Sequence, residues 1–306
     1  MQGEHFMRRF RLLALATLLV LLVAACGGGE TTAGGGGDGE GDGGTAGKEG
    51  NDLLQVVQDR GTLIASTDAA YPPQSSRNPE GEFEGFDIDV TNEIAQRLGV
   101  DVKYVTPAFD AITSGSWSGR WDLSVGSVTI TPERQEVLHF TPPYYFTPAS
   151  LAVHQDNTDI QDLENDADGK KIGVCQACSY DSYLQKDLEI PGEEPDYIID
   201  DADIQTYDTD STAIQDLALG DGVRLDAVMS ALPTLEGAIE NDTPIKIVGD
   251  PLFYEPLGVA IDKESPEDPT AFLEEVTSII EEMHSDGTLT ELSKKWYDGT
   301  DLTKKV

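Results

Sequence analysis

Between Gly61 and Val128 the apolar residues change period in step, from strand-like to helical and back, which limits this chain to an α/β architecture. Gly61-Thr62-Leu63-Ile64-Ala65-Ser66 reads as a strand. From Asp87 to Leu98 the spacing of Val90, Ile94 and Leu98 puts them on one helix face, and Gly99 stands where a helix ends in a left-handed residue. Val102 to Val105 reads as the next strand, Ala111 to Trp117 as a short helix and Trp121 to Val128 as a third strand, completing a βαβαβ unit with a largely parallel sheet. A second set begins at Lys171-Ile172-Gly173-Val174, passes through an amphipathic stretch from Ser179 to Leu184 and includes Asp226-Ala227-Val228-Met229 as a later strand. Asp268 to Trp296 reads as helical, broken near Asp286-Gly287.

Ahead of this region, Arg8, Arg9 and Arg11 precede an apolar run from Leu12 to Ala25, the pattern of a signal peptide. The run closes on Val23-Ala24-Ala25-Cys26-Gly27, which resembles a bacterial lipobox. Residues 1–26 are therefore expected to be a lipoprotein signal peptide ending at Cys26, with Cys26 lipidated, since several acyl chains hold a protein on a membrane where one does not. The alternative is an ordinary signal peptide in which Cys26 is incidental. Residues 27–50 are mostly glycine with scattered Asp, Glu and Thr and read as a flexible tether. No later apolar run is long enough to cross a bilayer, so the expected location is the extracellular face of the cell membrane, lipid-anchored.

The formal net charge is −37, and most of it falls after residue 50. A surface this acidic repels nucleic acid and anionic lipid, so neither is expected as a partner. It suits a soluble exoprotein, and it also suits a habitat of high salt, where ions screen the self-repulsion.

Six segments carry more specific information: Thr67-Asp68-Ala69-Ala70-Tyr71-Pro72-Pro73, Gly85-Phe86-Asp87-Ile88-Asp89-Val90, Phe109-Asp110-Ala111-Ile112, the run from Gly126 to Arg134, Phe140-Thr141-Pro142-Pro143-Tyr144-Tyr145, and Asp286-Gly287-Thr288-Leu289 ahead of Lys295-Trp296. In this order and spacing the chain, from about Leu53 to Trp296, resembles the family 3 extracellular solute-binding proteins, the polar amino-acid receptors of ATP-driven importers. The resemblance implies a bilobal periplasmic-binding-protein fold of type II, two α/β lobes joined by a two-segment hinge. Lobe one would be residues 51–148 with 250–306, lobe two residues 149–249, and the ligand would sit in the cleft between them. It also implies a monomer whose partners are a small-molecule ligand, an amino acid or related zwitterion, and the membrane subunits of an ABC permease, with no cofactor.

The residue types fit such a site. A carboxylate needs a planar double donor and hydroxyls, and Arg134 follows a strand and a short polar turn. Ser127 and Thr129, two apart on an extended segment, point the same way. In the family the arginine matching Arg134 forks onto the ligand's α-carboxylate, helped by residues matching Ser127 and Thr129. Tyr71 and Phe109 match aromatics that sandwich the ligand's side chain, and Asp68 matches an acid at the same end of the cleft. Asp87 and Asp89 read as residues that cap a helix start and favour its positive end, and Asp226 reads as structural.

In lobe two, Cys178 and Ser179 stand where the family has two threonines, with Ser179 offering its hydroxyl and N–H from a helix N-terminus. If Cys26 is lipidated, Cys175 and Cys178 form an even pair in an oxidising compartment, and a local disulfide is expected. A thioredoxin-like redox motif is the alternative. A metal is not expected, because the four His residues show no paired ligand spacing.

Two departures bear on the ligand. Ala231 stands where the family commonly has an Asp that binds the ligand's α-ammonium, and Gln74 stands where a phenylalanine is usual. Either Asp68 or Glu255 takes the cation instead, or the ligand is a cyclic zwitterion such as ectoine, which needs a carboxylate grip but no primary-ammonium site. An enzyme of the same fold, such as a cyclic-acid dehydratase, would need a general acid with a raised pKa against the ligand, and only Asp68 and Glu255 are near. The expectation is a receptor and not an enzyme.

Overall fold

The computed structural model describes residues 51–305; the expected signal peptide, the lipid attachment at Cys26 and the tether lie outside the described residues. Helix α1 (Leu53–Arg60) is capped by Asp52, whose carboxylate accepts from the Leu54 N–H, and it ends at Gly61 in a left-handed conformation. Strand β1 (Thr62–Ser66) follows, then a small antiparallel sheet of β2 (Ala70–Tyr71), β3 (Ser75–Arg77) and β4 (Phe83–Glu84). Helix α2 (Phe86–Leu98) buries Val90, Ile94 and Leu98 as their spacing predicts and stops at Gly99 with φ 74°. Strand β5 (Asp101–Val105), helix α3 (Phe109–Thr113) and strand β6 (Leu123–Thr129) complete the unit, with β1 parallel to both β5 and β6.

The short helix sits two residues earlier than the sequence reading and is shorter. Gly115, Ser116 and Ser118 all have positive φ, which a helix cannot accommodate. The turn they form sends Trp117 into the interior, where its backbone N–H donates to Asp262 Oδ2 at 2.6 Å and its indole N–H to the Ile112 carbonyl at 2.9 Å.

Helix α4 (Pro132–Val137) starts with a proline and a Thr131 cap, and β7 (Leu138–Phe140) and β8 (Tyr145–His154) follow. Next come α5 (Leu163–Asp166), β9 (Lys170–Cys175), α6 (Ser179–Gln185), β10 (Ala202–Tyr207), α7 (Asp210–Leu217), β11 (Ala227–Ala231) and α8 (Leu232–Glu240). Strands β10, β9 and β11 run parallel. The chain returns through β12 (Ile245–Asp262) and ends in α9 (Thr270–Ser285) and α10 (Thr288–Trp296), broken at Gly287 with φ 87°.

The main sheet runs in the order β10-β9-β11-β8-β12-β6-β1-β5, so the antiparallel pair β8 and β12 joins two parallel regions. Each region has its own hydrophobic core, one including Val90, Leu123 and Phe272, the other Ile172, Tyr183 and Met229. The joining strands take part in both: Tyr145 and Leu257 belong to the first core, Ala149 and Phe253 to the second. These are the α/β layers and bilobal organisation that the sequence leads one to expect. Among the described residues no helix is long and apolar enough to cross a membrane.

Candidate ligand-binding site

Where the two cores face each other, a small cavity of about 40 Å³ is lined by Asp68, Tyr71, Phe109, Ser127, Thr129, Cys178 and Ser179, together with Cys175, Tyr180, Asp208, Asp210 and Glu255. Seven of the eight candidate binding residues therefore meet in one place. Larger clefts lie elsewhere, one of about 530 Å³ beside α8 and Trp296, but the hydroxyls and carboxylates converge on the smaller cavity. The eighth candidate, Arg134, lines a neighbouring cleft with Ala177 and Ser179. Its guanidinium donates through Nη1 to the Thr129 carbonyl at 3.0 Å and through Nη2 to the Ala177 carbonyl at 2.9 Å, bridging the two regions. Its Cζ lies 5.4 Å from the Phe109 ring centroid, a cation–π distance. Burial lowers its pKa to about 10.

The Asp87 side chain does not cap the helix start as its position leads one to expect. Gly85 precedes the helix without a side-chain cap, while the buried Asp87 carboxylate accepts from Ser127 Oγ at 2.7 Å and Tyr144 OH at 2.8 Å. Burial raises Asp87 to about 7, against the pull of those two hydrogen bonds. The Ser127 hydroxyl also meets Tyr145 OH at 2.6 Å, and Ser127 has φ 53°, so this residue is held from behind with its backbone in an uncommon conformation. Asp89 likewise reaches outward, accepting from Lys295 Nζ at 2.6 Å and Trp296 Nε1 at 2.7 Å, and ties α2 to α10. Asp226 accepts from the Lys171 N–H at 2.8 Å, a structural bond at the start of β9.

Across the cavity, Cys175 and Cys178 are joined in a disulfide just before α6. Cys178 is the N-cap residue of α6 and has no side-chain capping bond, so the helix start presents the Ser179 and Tyr180 hydroxyls to the cavity. Ala231 is fully buried in the second core and does not line the cavity. The acid found on that side is Asp210, at the start of α7, whose Oδ1 accepts from Ser230 Oγ at 2.5 Å. Burial pushes Asp210 up to about 7, with the Asp68 and Glu255 charges adding to the rise, and burial raises Asp68 as well. No described Lys or Arg comes within ion-pair distance of Asp68, Asp208 or Asp210. The sequence reading did not single out Asp210 or Tyr180; the Thr209-Asp210 pair ahead of a helical stretch was the available cue, since Thr209 caps α7.

The profile of bacterial extracellular solute-binding proteins, family 3, matches residues 63–299. The chain belongs to this family. Among the relatives of this solute-binding protein is the L-cystine-binding protein TcyJ of Escherichia coli K12, 30% identical over 253 residues, covering 82% of this chain and 88% of that one. The L-arginine-binding protein of Pseudomonas aeruginosa is 30% identical over 238 residues, 75% of this chain and 85% of that one. In structure, an ancestral amino-acid-binding protein described as a precursor of cyclohexadienyl dehydratase aligns with TM-score 0.69 and 28% identity, over 80% of this chain and 100% of that one. An ancestral arginine-binding protein bound to glutamine aligns with TM-score 0.66 and 32% identity, over 78% and 98% respectively.

Proposed function

We propose that this chain is the lipid-anchored, monomeric extracellular receptor of an ABC importer and captures an amino acid in the cavity between its two halves. The observation that carries the reading is the meeting of Asp68, Tyr71, Phe109, Ser127, Thr129, Cys178 and Ser179, drawn from both sides, around one cavity. In this reading residues 51–148 with 250–306 form one lobe and 149–249 the other, with β8 and β12 as the hinge. The ligand's carboxylate takes hydroxyl donors from Thr129 and Ser179 under the charge of Arg134, its side chain lies against Tyr71 and Phe109, and its cationic end faces Asp68 and Asp210. The pairs Tyr71 OH to Tyr180 OH at 3.2 Å and Ser211 Oγ to the Ala70 carbonyl at 2.6 Å would form as the lobes close. Relatives that bind amino acids favour this ligand class over an ectoine-like osmolyte, and they favour binding over turnover.

The test is calorimetry and thermal shift with L-arginine, L-histidine, L-cystine and ectoine, followed by NMR of the recovered ligand. Saturable binding of an amino acid that is recovered unchanged supports the receptor reading. Binding of ectoine alone would move the ligand class, and conversion of a cyclic acid would move the protein to the enzymes.

A further inference from the structure

The hydroxyl donors that a ligand carboxylate would use already hold one. Thr129 Oγ1 donates to Glu255 Oε1 at 2.8 Å, Tyr180 OH donates to Glu255 Oε2 at 2.8 Å, and Ser179 Oγ also donates to Oε1. Thr129 ends β6 while Ser179 and Tyr180 open α6, so a single carboxylate ties together donors from the two sides of the cavity. Glu255 itself belongs to the joining strand β12, opposite Thr147 of β8. It is 2% exposed and lines the cavity. Leaving a carboxylate that deep in the protein costs several kcal/mol unless hydrogen bonds and a nearby cation offset it, and here three hydroxyls and the more distant charge of Arg134 do so. A second carboxylate on the same donors would add like-charge repulsion to the loss of those bonds.

We propose that Glu255 is a specificity-determining residue of the cleft: its carboxylate holds the place of a ligand's carboxylate, and an amino acid gains the full grip only by displacing it. The proposal rests on the receptor reading above. Asp68, Asp208 and Asp210 line the same cavity and Glu255 adds to their charge, so a positively charged ligand group is attracted whether or not Glu255 moves. A ligand carboxylate, by contrast, competes with Glu255 directly. Glu255 therefore shifts the selectivity of the site away from acids and toward amines of the same shape.

The test compares three matched pairs that differ by their carboxylates, L-arginine with agmatine, L-histidine with histamine and L-cystine with cystamine, by calorimetry on the full chain. Wild type, Glu255→Ala and Glu255→Gln are titrated with each. For the pairs that bind, the ratio of acid affinity to amine affinity should rise about ten-fold or more in Glu255→Ala, the scale of one charge-assisted hydrogen bond, and by less in Glu255→Gln. If Glu255→Ala does not fold, the near-isosteric Glu255→Gln decides by the same direction. A ratio that stays constant or falls overturns the proposal, because Glu255 would then be a structural hinge residue or would itself bind the ligand's cation. If none of the three proteins binds any of the six compounds, the receptor reading fails; if they bind with an unaltered ratio, only the role of Glu255 does.

Discussion

The Tyr71 and Tyr180 hydroxyls lie 3.2 Å apart across the cavity, and Tyr180 donates onward to Glu255 at 2.8 Å. Both rings are buried, and burial holds both hydroxyls well above the usual tyrosine pKa, so they act as neutral donors at any physiological pH. Tyr180→Phe leaves the buried Glu255 carboxylate short of one donor and should destabilise the protein by about 1–3 kcal/mol in denaturant unfolding. Tyr71→Phe keeps the Tyr180–Glu255 bond and should cost less. Equal losses from the two variants would mean that the hydroxyl pair, and not the carboxylate, is the contact that matters.

Asp210 gives a pH dependence with a definite sign. Its pKa is raised by burial from 3.8 to about 7, so between those values the folded state binds more protons than the unfolded state. Its contribution to stability is fully present below pH 3.8 and is lost as pH rises through about 7. Asp210→Asn keeps an acceptor for Ser230 but has no charge to bury. The melting temperature of the variant relative to wild type should therefore increase from about pH 4 to about pH 7 and level off above it. A difference that does not change with pH would show that Asp210 is not buried as a charge.

The net charge of −37 predicts that the folded chain is stabilised by salt, because ions screen close acidic neighbours. Melting temperature should rise with potassium or sodium chloride beyond the physiological range. A flat or falling curve would contradict it.

Anchoring is tested separately, by Cys26→Ala. The variant should partition into the aqueous phase where wild type follows detergent, and a variant that stays with the membrane fraction would place the anchor elsewhere.

Much of the fold was legible in the chain because its local cues agree with its packing. The Val90, Ile94, Leu98 stripe with Gly99 behind it, and the break at Gly287, need only helical period and a left-handed stop. The joining strands were not legible. Pro148 interrupts β8, and Gly249, Pro251 and Pro256 interrupt β12, residues that read as loop punctuation and are tolerated here at bends between two packed regions. In the site, the family resemblance pointed to the lining side chains, but not to where their polar atoms point. Asp87 turns from the helix start to Ser127, and Glu255 turns its carboxylate to Thr129 and Tyr180, because both choices are made by partners distant in sequence. Ala231 lies in the second core, and the acid that lines the cavity on that side, Asp210, comes instead from the start of α7, a placement that the residue at position 231 does not reveal.

Whether the cavity grips the carboxylate of an amino acid under Arg134 is decided by calorimetry of wild type against Arg134→Lys. Lysine keeps the charge but cannot span the Thr129 and Ala177 carbonyls with one planar group. Wild type should bind at least one amino acid with one site per chain, and Arg134→Lys should weaken it by about 1.5–3 kcal/mol. Unchanged affinity in the variant, or no amino acid bound by the wild type, would contradict it.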